Sequence, residues 1–453
     1  MSSISEIMNT ALSALTTQQA AINITNSNIA NVNTDGYSRR QVAIECTEYA
    51  GVQASDAKRV CDTFLLKQIV SETQDLGKWE AEAKYLESVE AVFDESEGSG
   101  LSEAMSEFWN AWQDLVNDPS GSTERSTLAS VADTLAQTFN SIRSDLSDIQ
   151  EGIDDDIVTT VSTINRIVEQ IADLNQKIAR ANADGQDTNT FQDSLDSLVT
   201  ELSSLIDISS YENKNGQICI QTANGKPLVE GTTTWSLSTE INSTTGLQDV
   251  IWVDSDGNSY VITDDISGGK LGGCLEIRDE RIPAWQDQLD ELAAALMNEV
   301  NALQTGGYDI NGGSGVAFFT GTGASDMAVN TDILDDPGTI AASSSADGAP
   351  GDGSNASAIA ELQNRLLFDS GTSNFSDFYA TLVSEVGTAI QSAQAGYESR
   401  RDMVEFCTNQ RESVSGVSLD EETAKLIVYQ NAYEAAAKVI SVLDELMETI
   451  LDM

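Results

Sequence analysis

Residues 1–34 read MSSISEIMNTALSALTTQQAAINITNSNIANVNT and carry one charged side chain, Glu6, in a chain that is 21% charged. Ile4, Met8, Leu15, Ile22 and Ile29 recur through this stretch, with Ala11, Gln18 and Thr25 in the alternate positions, so the steps run four, three, four, three. That period predicts one helix with a single heptad seam. Ser3 and Glu6 have the spacing of a capping box, which would give the only charge a local task at the helix start. The remaining faces carry Ser, Thr, Asn and Gln. These cost much less than ions to remove from water, so the helix suits burial against other protein.

The other end repeats the period with a charged outer face. In SGVSLDEETAKLIVYQNAYEAAAKVISVLDELMETILDM (residues 415–453) the seam runs through Leu419, Leu426, Tyr429, Tyr433, Ala436, Ile440, Leu443, Met447 and Ile450, and Glu422 alone interrupts it. Ser418 and Glu421 form a second capping box, three acids sit at the positive end of the helix dipole, and Glu421/Lys425 and Glu434/Lys438 are spaced as i,i+4 pairs. Each terminal helix would be roughly 45–50 Å long at 1.5 Å per residue. Neither is stable alone in water, so each needs the other's apolar stripe. Residues 1–34 with 416–453 are therefore expected to form a terminal coiled-coil assembly domain.

Between the ends, heptad-like runs predict helices through Leu76 to Val89, Leu101 to Leu115, and about Thr123 to Ala181, the longest element. The break ANADGQDTN then leads into Phe191, Leu195, Leu198, Leu202 and Leu205, which predicts an antiparallel helical hairpin. Another amphipathic helix follows Pro283. Residues 211–272 switch to period two with Gly-rich turns, predicting a β-rich inserted outer domain. Asp254, Asp256 and Asn258 resemble the start of a calcium loop, but Ser259 stands where glycine is needed, so a hairpin turn is expected. Residues 306–355, rich in Gly, Ser and Asp, are expected to run over the surface. The fold class is mainly α with a β insert. Residues 35–210, 273–305 and 356–415 are expected to form the helical bundle domain.

Composition removes whole classes of function. The 453-residue chain holds 73 acidic and 23 basic side chains, a formal charge of −50, which repels phosphate backbones and anionic lipid, so neither nucleic acid nor membrane is an expected partner. No histidine is present, which excludes Ser/His/Asp and Cys/His nucleophile systems and HExxH zinc sites. Five cysteines without a CxxC pair indicate free thiols. No signal peptide is visible. No cofactor, metal or catalytic residue is expected. Paired carboxylates of a secreted glycosidase are the remaining enzymatic alternative.

The segment NIANVNTDGYSRR (residues 28–40) resembles the signature of flagellar rod, hook and hook-associated proteins, and its GYSR form is most similar to the hook-associated protein 1 family of the hook–filament junction. GGKLGGCLEIRDERIPAWQDQLDELAAALMNEVNAL (268–303), FFTGTGASDMAVN (318–330), GAPGDGSNA (348–356) and residues 415–440 resemble further segments of that family in the same order. Gln304 stands where many relatives carry histidine and Cys274 where leucine is usual. Flagellin, hook protein or a second junction protein, with similar ends, are the alternatives within the same structural class.

The resemblance implies a structural subunit that is exported through the flagellar channel and becomes extracellular. It would form a ring with itself at the hook tip, with hook protein below and the second junction protein and filament above. It also implies an export chaperone acting at the C-terminal helix. The expected assembly seams are Ile4, Met8, Leu15, Ile22 and Ile29 at one end, and Leu426, Tyr429, Tyr433, Ile440, Leu443, Met447 and Ile450 at the other. The signature residues are Asn28, Asn31, Asn33, Thr34, Gly36, Tyr37, Ser38 and Arg39. On physical grounds Asn31 and Asn33 can end the helix, Asp35-Gly36 supplies a turn, and an outgoing strand alternates from Tyr37.

Overall fold

The computed structural model describes residues 2–47, 51–95 and 100–451. Helix α1 (Ser2–Ala30) leads into an antiparallel hairpin of β1 (Arg40–Thr47) and β2 (Gly51–Arg59). Helix α2 (Thr63–Val92) is capped by Asp62, whose carboxylate accepts from the amides of Phe64 at 2.9 Å and Leu65 at 3.3 Å. Helices α3 (Leu101–Asn117), α4 (Ser122–Ala183) and α5 (Asn189–Leu205) follow. At 62 residues α4 is the longest, roughly 90 Å from end to end. Its seam repeats every seventh residue: Leu128, Leu135 and Ile142, then Ile157, Ile164, Ile171 and Ile178, all buried. Helix α5 folds back along it, close enough for Arg166 to reach Glu201 at 3.6 Å.

Strands β3 (Ile208–Glu212), β4 (Ile218–Thr222), β5 (Pro227–Glu230) and β6 (Thr233–Thr234) form one antiparallel sheet, and β7 (Ser236–Ile241), β8 (Gln248–Val253) and β9 (Ser259–Val261) another. These sheets have no core apart from the helices. Ile220, Leu228, Val229, Leu237, Val250 and Trp252 are buried in the same hydrophobic cluster as the α4 seam. Two asparagines of α4 act as strand partners. Asn165 donates to the Leu237 carbonyl at 2.7 Å and accepts its amide at 2.8 Å, and Asn175 does the same for Ile218 at 2.8 and 2.9 Å. A side-chain amide carries one donor and one acceptor in peptide geometry, so it can replace a neighbouring strand. The acidic turn is a hairpin turn: Asp254 accepts from the amides of Asp256 and Asn258 and from the Asn258 side chain.

Helix α6 (Gly269–Leu275), a π-helical turn at Glu276–Arg281 and α7 (Ile282–Gly306) return the chain to the bundle. Short pieces follow: β10 (Phe319–Thr320), β11 (Ala328–Val329), α8 (Thr331–Asp335) and α9 (Ser354–Ala360). The long helices α10 (Phe375–Ser415) and α11 (Leu419–Leu451) close the chain.

The expectation that residues 306–355 run over the surface is corrected by the structure. Phe318, Phe319, Met327, Val329, Ile333 and Ile340 are all buried. Phe318 packs against Trp112 with ring centroids 5.4 Å apart, and Phe108 lies 5.6 Å from Phe319. The small residues around these anchors let irregular backbone descend into the bundle, where side chains satisfy it. Asn301 accepts the amides of Phe318 and Phe319 and donates to the Phe319 carbonyl at 2.9 Å. Buried Arg125 donates to the carbonyls of Pro119 at 2.7 Å and Ile340 at 2.6 Å. Gln304, fully buried, accepts the Ala341 amide at 3.2 Å.

Candidate assembly interface

Helices α1 and α11 pack together antiparallel, because the C-terminal turn of α1 meets the first turn of α11. The most buried positions of α1 are Ala11, Thr17, Ala21, Thr25 and Asn28, and not the predicted large residues. The reason is the β1–β2 hairpin, which lies against α1 as a second neighbour. Small side chains allow backbone this close, and Thr17 donates to the Val52 carbonyl at 3.2 Å.

Of the seam residues, Ile4, Leu15, Ile22 and Ile29 on α1 and Leu426, Tyr429, Tyr433 and Ile440 on α11 are half-buried, and Leu443 is buried. Met8, Met447 and Ile450 are 37, 44 and 56% exposed, so the expected seam does not close at the far end within one chain. Two helices alone cover only one stripe of each other. Ile7, Leu12, Val442 and Leu446 are also exposed there, which leaves a cluster of large apolar side chains at the tip of the pair. The side chain of Ser3, and with it the first capping box, lies outside the described residues.

At the opposite end of the pair the signature residues converge. Helix α1 stops at Ala30, and Asn31 donates back to the Ser27 carbonyl at 2.8 Å while accepting from Thr34 at 3.2 Å. Asn33 is exposed. The turn over 34–37 closes with the Tyr37 amide on the Thr34 carbonyl at 3.2 Å. Gly36 has φ +79°, a conformation that favours glycine, and a Cβ there would also lie 2.7 Å from the Ser197 hydroxyl, which would have to turn away. Ser38 is buried.

Asn28 is the centre of this junction. Its amide donates to the Arg40 carbonyl and its oxygen accepts the Arg40 amide, both at 3.0 Å, and Tyr37 donates its hydroxyl to the same oxygen at 2.9 Å. Asn28 also donates to Glu422 at 2.9 Å, across 394 residues of chain. Glu422, the apparent flaw in the C-terminal seam, is 1% exposed and takes a second bond from Lys425 at 2.7 Å. Glu421 pairs with Arg39 at 3.0 Å, and the Arg39 amide donates to the Ser415 carbonyl at 2.8 Å. Among the described residues the expected pairs Glu421/Lys425 and Glu434/Lys438 do not form: Arg39 takes Glu421 from outside the helix, and Lys425 pairs with Glu422 one turn before it. Ser418 does cap α11, accepting the Glu421 amide at 3.5 Å.

A second cluster joins the hairpin to the bundle. Arg59 donates to Asp193 at 2.9 Å and Asp196 at 2.7 Å, Arg40 donates to the Thr190 hydroxyl at 2.7 Å, and Asn189 donates to the Ala57 carbonyl at 2.7 Å. Burial pushes the Asp196 carboxyl up, only partly opposed by Arg59. Burial would also lower Arg59, but its two aspartates more than reverse that. Sequence reasoning missed Arg59, Asp193 and Asp196. The one signal available was a pair of arginines flanking a short run of alternating residues. Among the described residues no group of three or more Cys, Asp or Glu could hold a metal ion, and no helix is long and apolar enough to cross a membrane.

Known proteins share this architecture. Residues 86–319 match the family model described as the flagellar hook-associated protein FlgK helical domain. Residues 8–37 match that of the flagella basal body rod protein, and residues 409–453 that of the flagellar basal body rod FlgEFG protein C-terminal. Flagellar hook-associated protein 1 of Bacillus subtilis (strain 168) is 30% identical, over 98% of this chain and 97% of its own. The protein of the same name from Escherichia coli (strain K12) is 25% identical over 99% and 100%. The solved flagellar hook junction protein FlgK from Burkholderia pseudomallei superposes with a TM-score of 0.67 over 77% of this chain and all of that one, at 17% identity, a likeness of fold. By its signature, its matched ends and its full-length relatives, the chain belongs to the flagellar hook-associated protein 1 family.

Proposed function

We infer that the chain is a structural subunit of the bacterial flagellum, placed at the hook–filament junction, and that it works through its paired ends. The observation that carries this reading is the tip of the terminal pair, where Ile7, Leu12, Val442, Leu446 and Ile450 are 46 to 56% exposed in a chain of formal charge −50. Large apolar side chains left exposed together at one end of a helix pair mark a surface that other protein covers. The partners are other axial proteins of the flagellum. In finer terms, the tip meets neighbouring copies in a ring, hook protein lies below, and the second junction protein and filament lie above.

The seam residues are read as the contact between the two ends, and Asn28, Asn31, Asn33, Thr34, Gly36, Tyr37, Ser38 and Arg39 as the joint that aims them. The subunit reaches its place by flagellar export, with a chaperone holding the apolar C-terminal helix, and it performs no catalysis. Deletion of the gene tests the reading: cells should make hooks that lack filaments and lose flagellin to the medium. Normal filaments on the mutant would overturn it. Polysaccharide hydrolysis by the purified chain would favour the enzymatic alternative.

A further inference from the structure

Asp154, Asn165 and Asn175 follow one another along α4 at steps of about three turns and meet the inserted sheets at three points. At two of them a single side-chain amide holds both backbone groups of a strand residue, Asn165 those of Leu237 and Asn175 those of Ile218. At the third the task is shared. Asp154 accepts the Gln248 amide at 2.9 Å, and Arg278, which donates to Asp154 at 2.6 Å, also donates to the Gln248 carbonyl at 2.8 Å. Arg278 stands on the π-helical turn, off the line of α4, with 2% of its side chain exposed, and its own carbonyl accepts from Gln150 at 2.8 Å. The neck of the insert is closed as well. Asp207, where the chain enters, accepts from the amide of Ser267, where it leaves, at 3.1 Å and from its hydroxyl at 3.0 Å.

We propose that Asn165, Asn175 and the Asp154–Arg278 pair are positioning residues that make α4 a surrogate strand and hold the β insert in one direction on the helical bundle. The proposal rests on the reading of the chain as a subunit packed among other axial proteins, and it names what aims the insert. An inserted unit turns on its connections unless a large apolar interface stops it. Leu228, Leu237 and Trp252 supply apolar contact with the α4 seam, but such contact is non-directional and permits sliding. Hydrogen bonds weaken steeply as they bend, so a strand residue held at both its amide and its carbonyl cannot turn without losing both. Points on α4 alone would leave rotation about its axis open. Arg278, off that axis, closes it. The exposed side chains of Tyr211, Ile241 and Val261, on β3, β7 and β9, then keep one bearing relative to the bundle in every copy.

The test uses the full chain with Cys46→Ser and Cys61→Ser and with spin labels at the exposed positions Ser144→Cys on α4 and Ser259→Cys on β9. Cys219, Cys274 and Cys407 are buried and do not take label. Double electron–electron resonance should give a single narrow distance, and Asn165→Leu should broaden it with helix content by circular dichroism unchanged. Thr163→Ala, which removes a hydroxyl bonded within α4, should keep the parent distance. A narrow, unshifted distance in Asn165→Leu overturns the proposal, because apolar packing alone then aims the insert, and so does a parent distribution that is already broad. Should Asn165→Leu lose helix content, Asn165→Asp, which keeps the acceptor for the Leu237 amide and gives up the donor to its carbonyl, must still broaden the distance, and an unchanged one there overturns the proposal. The distance is read on the isolated chain, so this result and that of the gene deletion can fail independently.

Discussion

Asn28, one turn from the end of the first helix, donates its side-chain amide to Glu422, in the first turn of the last helix, at 2.9 Å in a site closed to solvent. The bond fixes the register of the two chain ends. It also explains why an acid interrupts an otherwise apolar seam. A buried carboxylate is tolerable only when paired, and Asn28 and Lys425 supply the pairing.

Asn28→Ala should therefore destabilise the terminal pair by about 3 kcal/mol, since it strands Glu422 together with the amide and carbonyl of Arg40. Asn28→Asp should cost more, because it sets a carboxylate against Glu422. Hydrogen exchange at the first turns of α11 reads both, and unchanged protection in Asn28→Ala would show that the bond contributes nothing.

Burial of Glu82, with Glu276 nearby and Lys78 only partly compensating at 3.8 Å, raises its carboxyl from 4.5 to about 6. A carboxyl raised on folding contributes stability that is complete below its unfolded pKa and is lost as pH rises through its folded one. Glu82→Gln should therefore stabilise the chain at pH 7 by up to about 2 kcal/mol, at about 1.4 kcal/mol per pKa unit. The gain should fade as pH drops through 6 and vanish below about 4.5. Urea unfolding at several pH values measures it, and a gain independent of pH would contradict the electrostatic origin.

Arg125 is buried against carbonyl groups rather than a carboxylate, and it holds residues 337–340 to the start of α4. Arg125→Met should cost about 3 kcal/mol by leaving those carbonyls without a donor. Arg125→Lys should recover only part of the loss, because an ammonium cannot span both groups of acceptors. Thermal unfolding decides between these outcomes, and full stability in the lysine variant would count against the argument.

At the exposed tip, Val442→Gln and Leu446→Gln should leave the monomer's stability within about 0.5 kcal/mol, since both side chains face water and glutamine suits a helix. Cells carrying both substitutions should nevertheless make hooks without filaments. Normal filaments would place the assembly contact elsewhere.

Much of the helical architecture could be read along the chain, because a seam every seven residues is a local property. The stripe from Leu128 to Ile178, the α4–α5 hairpin and the period of both ends are written in residues a turn or two apart. The irregular segment 306–355 was not legible, because composition records how often a residue type occurs and not where its few anchors go. Phe318 and Phe319 enter the bundle among glycines and serines that suggest a surface.

The sequence by itself determined that the two ends are helices of one period, that the chemistry of histidine is absent, and that Asp35-Gly36 supplies a turn. Only the tertiary structure decided which side chains of those helices meet. A second neighbour of α1, the β1–β2 hairpin, put the deepest burial on the small stripe residue Thr25 and on Ala21 and Asn28 beside the stripe, and not on Ile22 and Ile29. Partners 394 residues apart turned Glu422 from an interruption into a register pin. Periodicity reports that a face will be buried. It does not report by what, because the partner's identity depends on chain closure, which no local pattern contains.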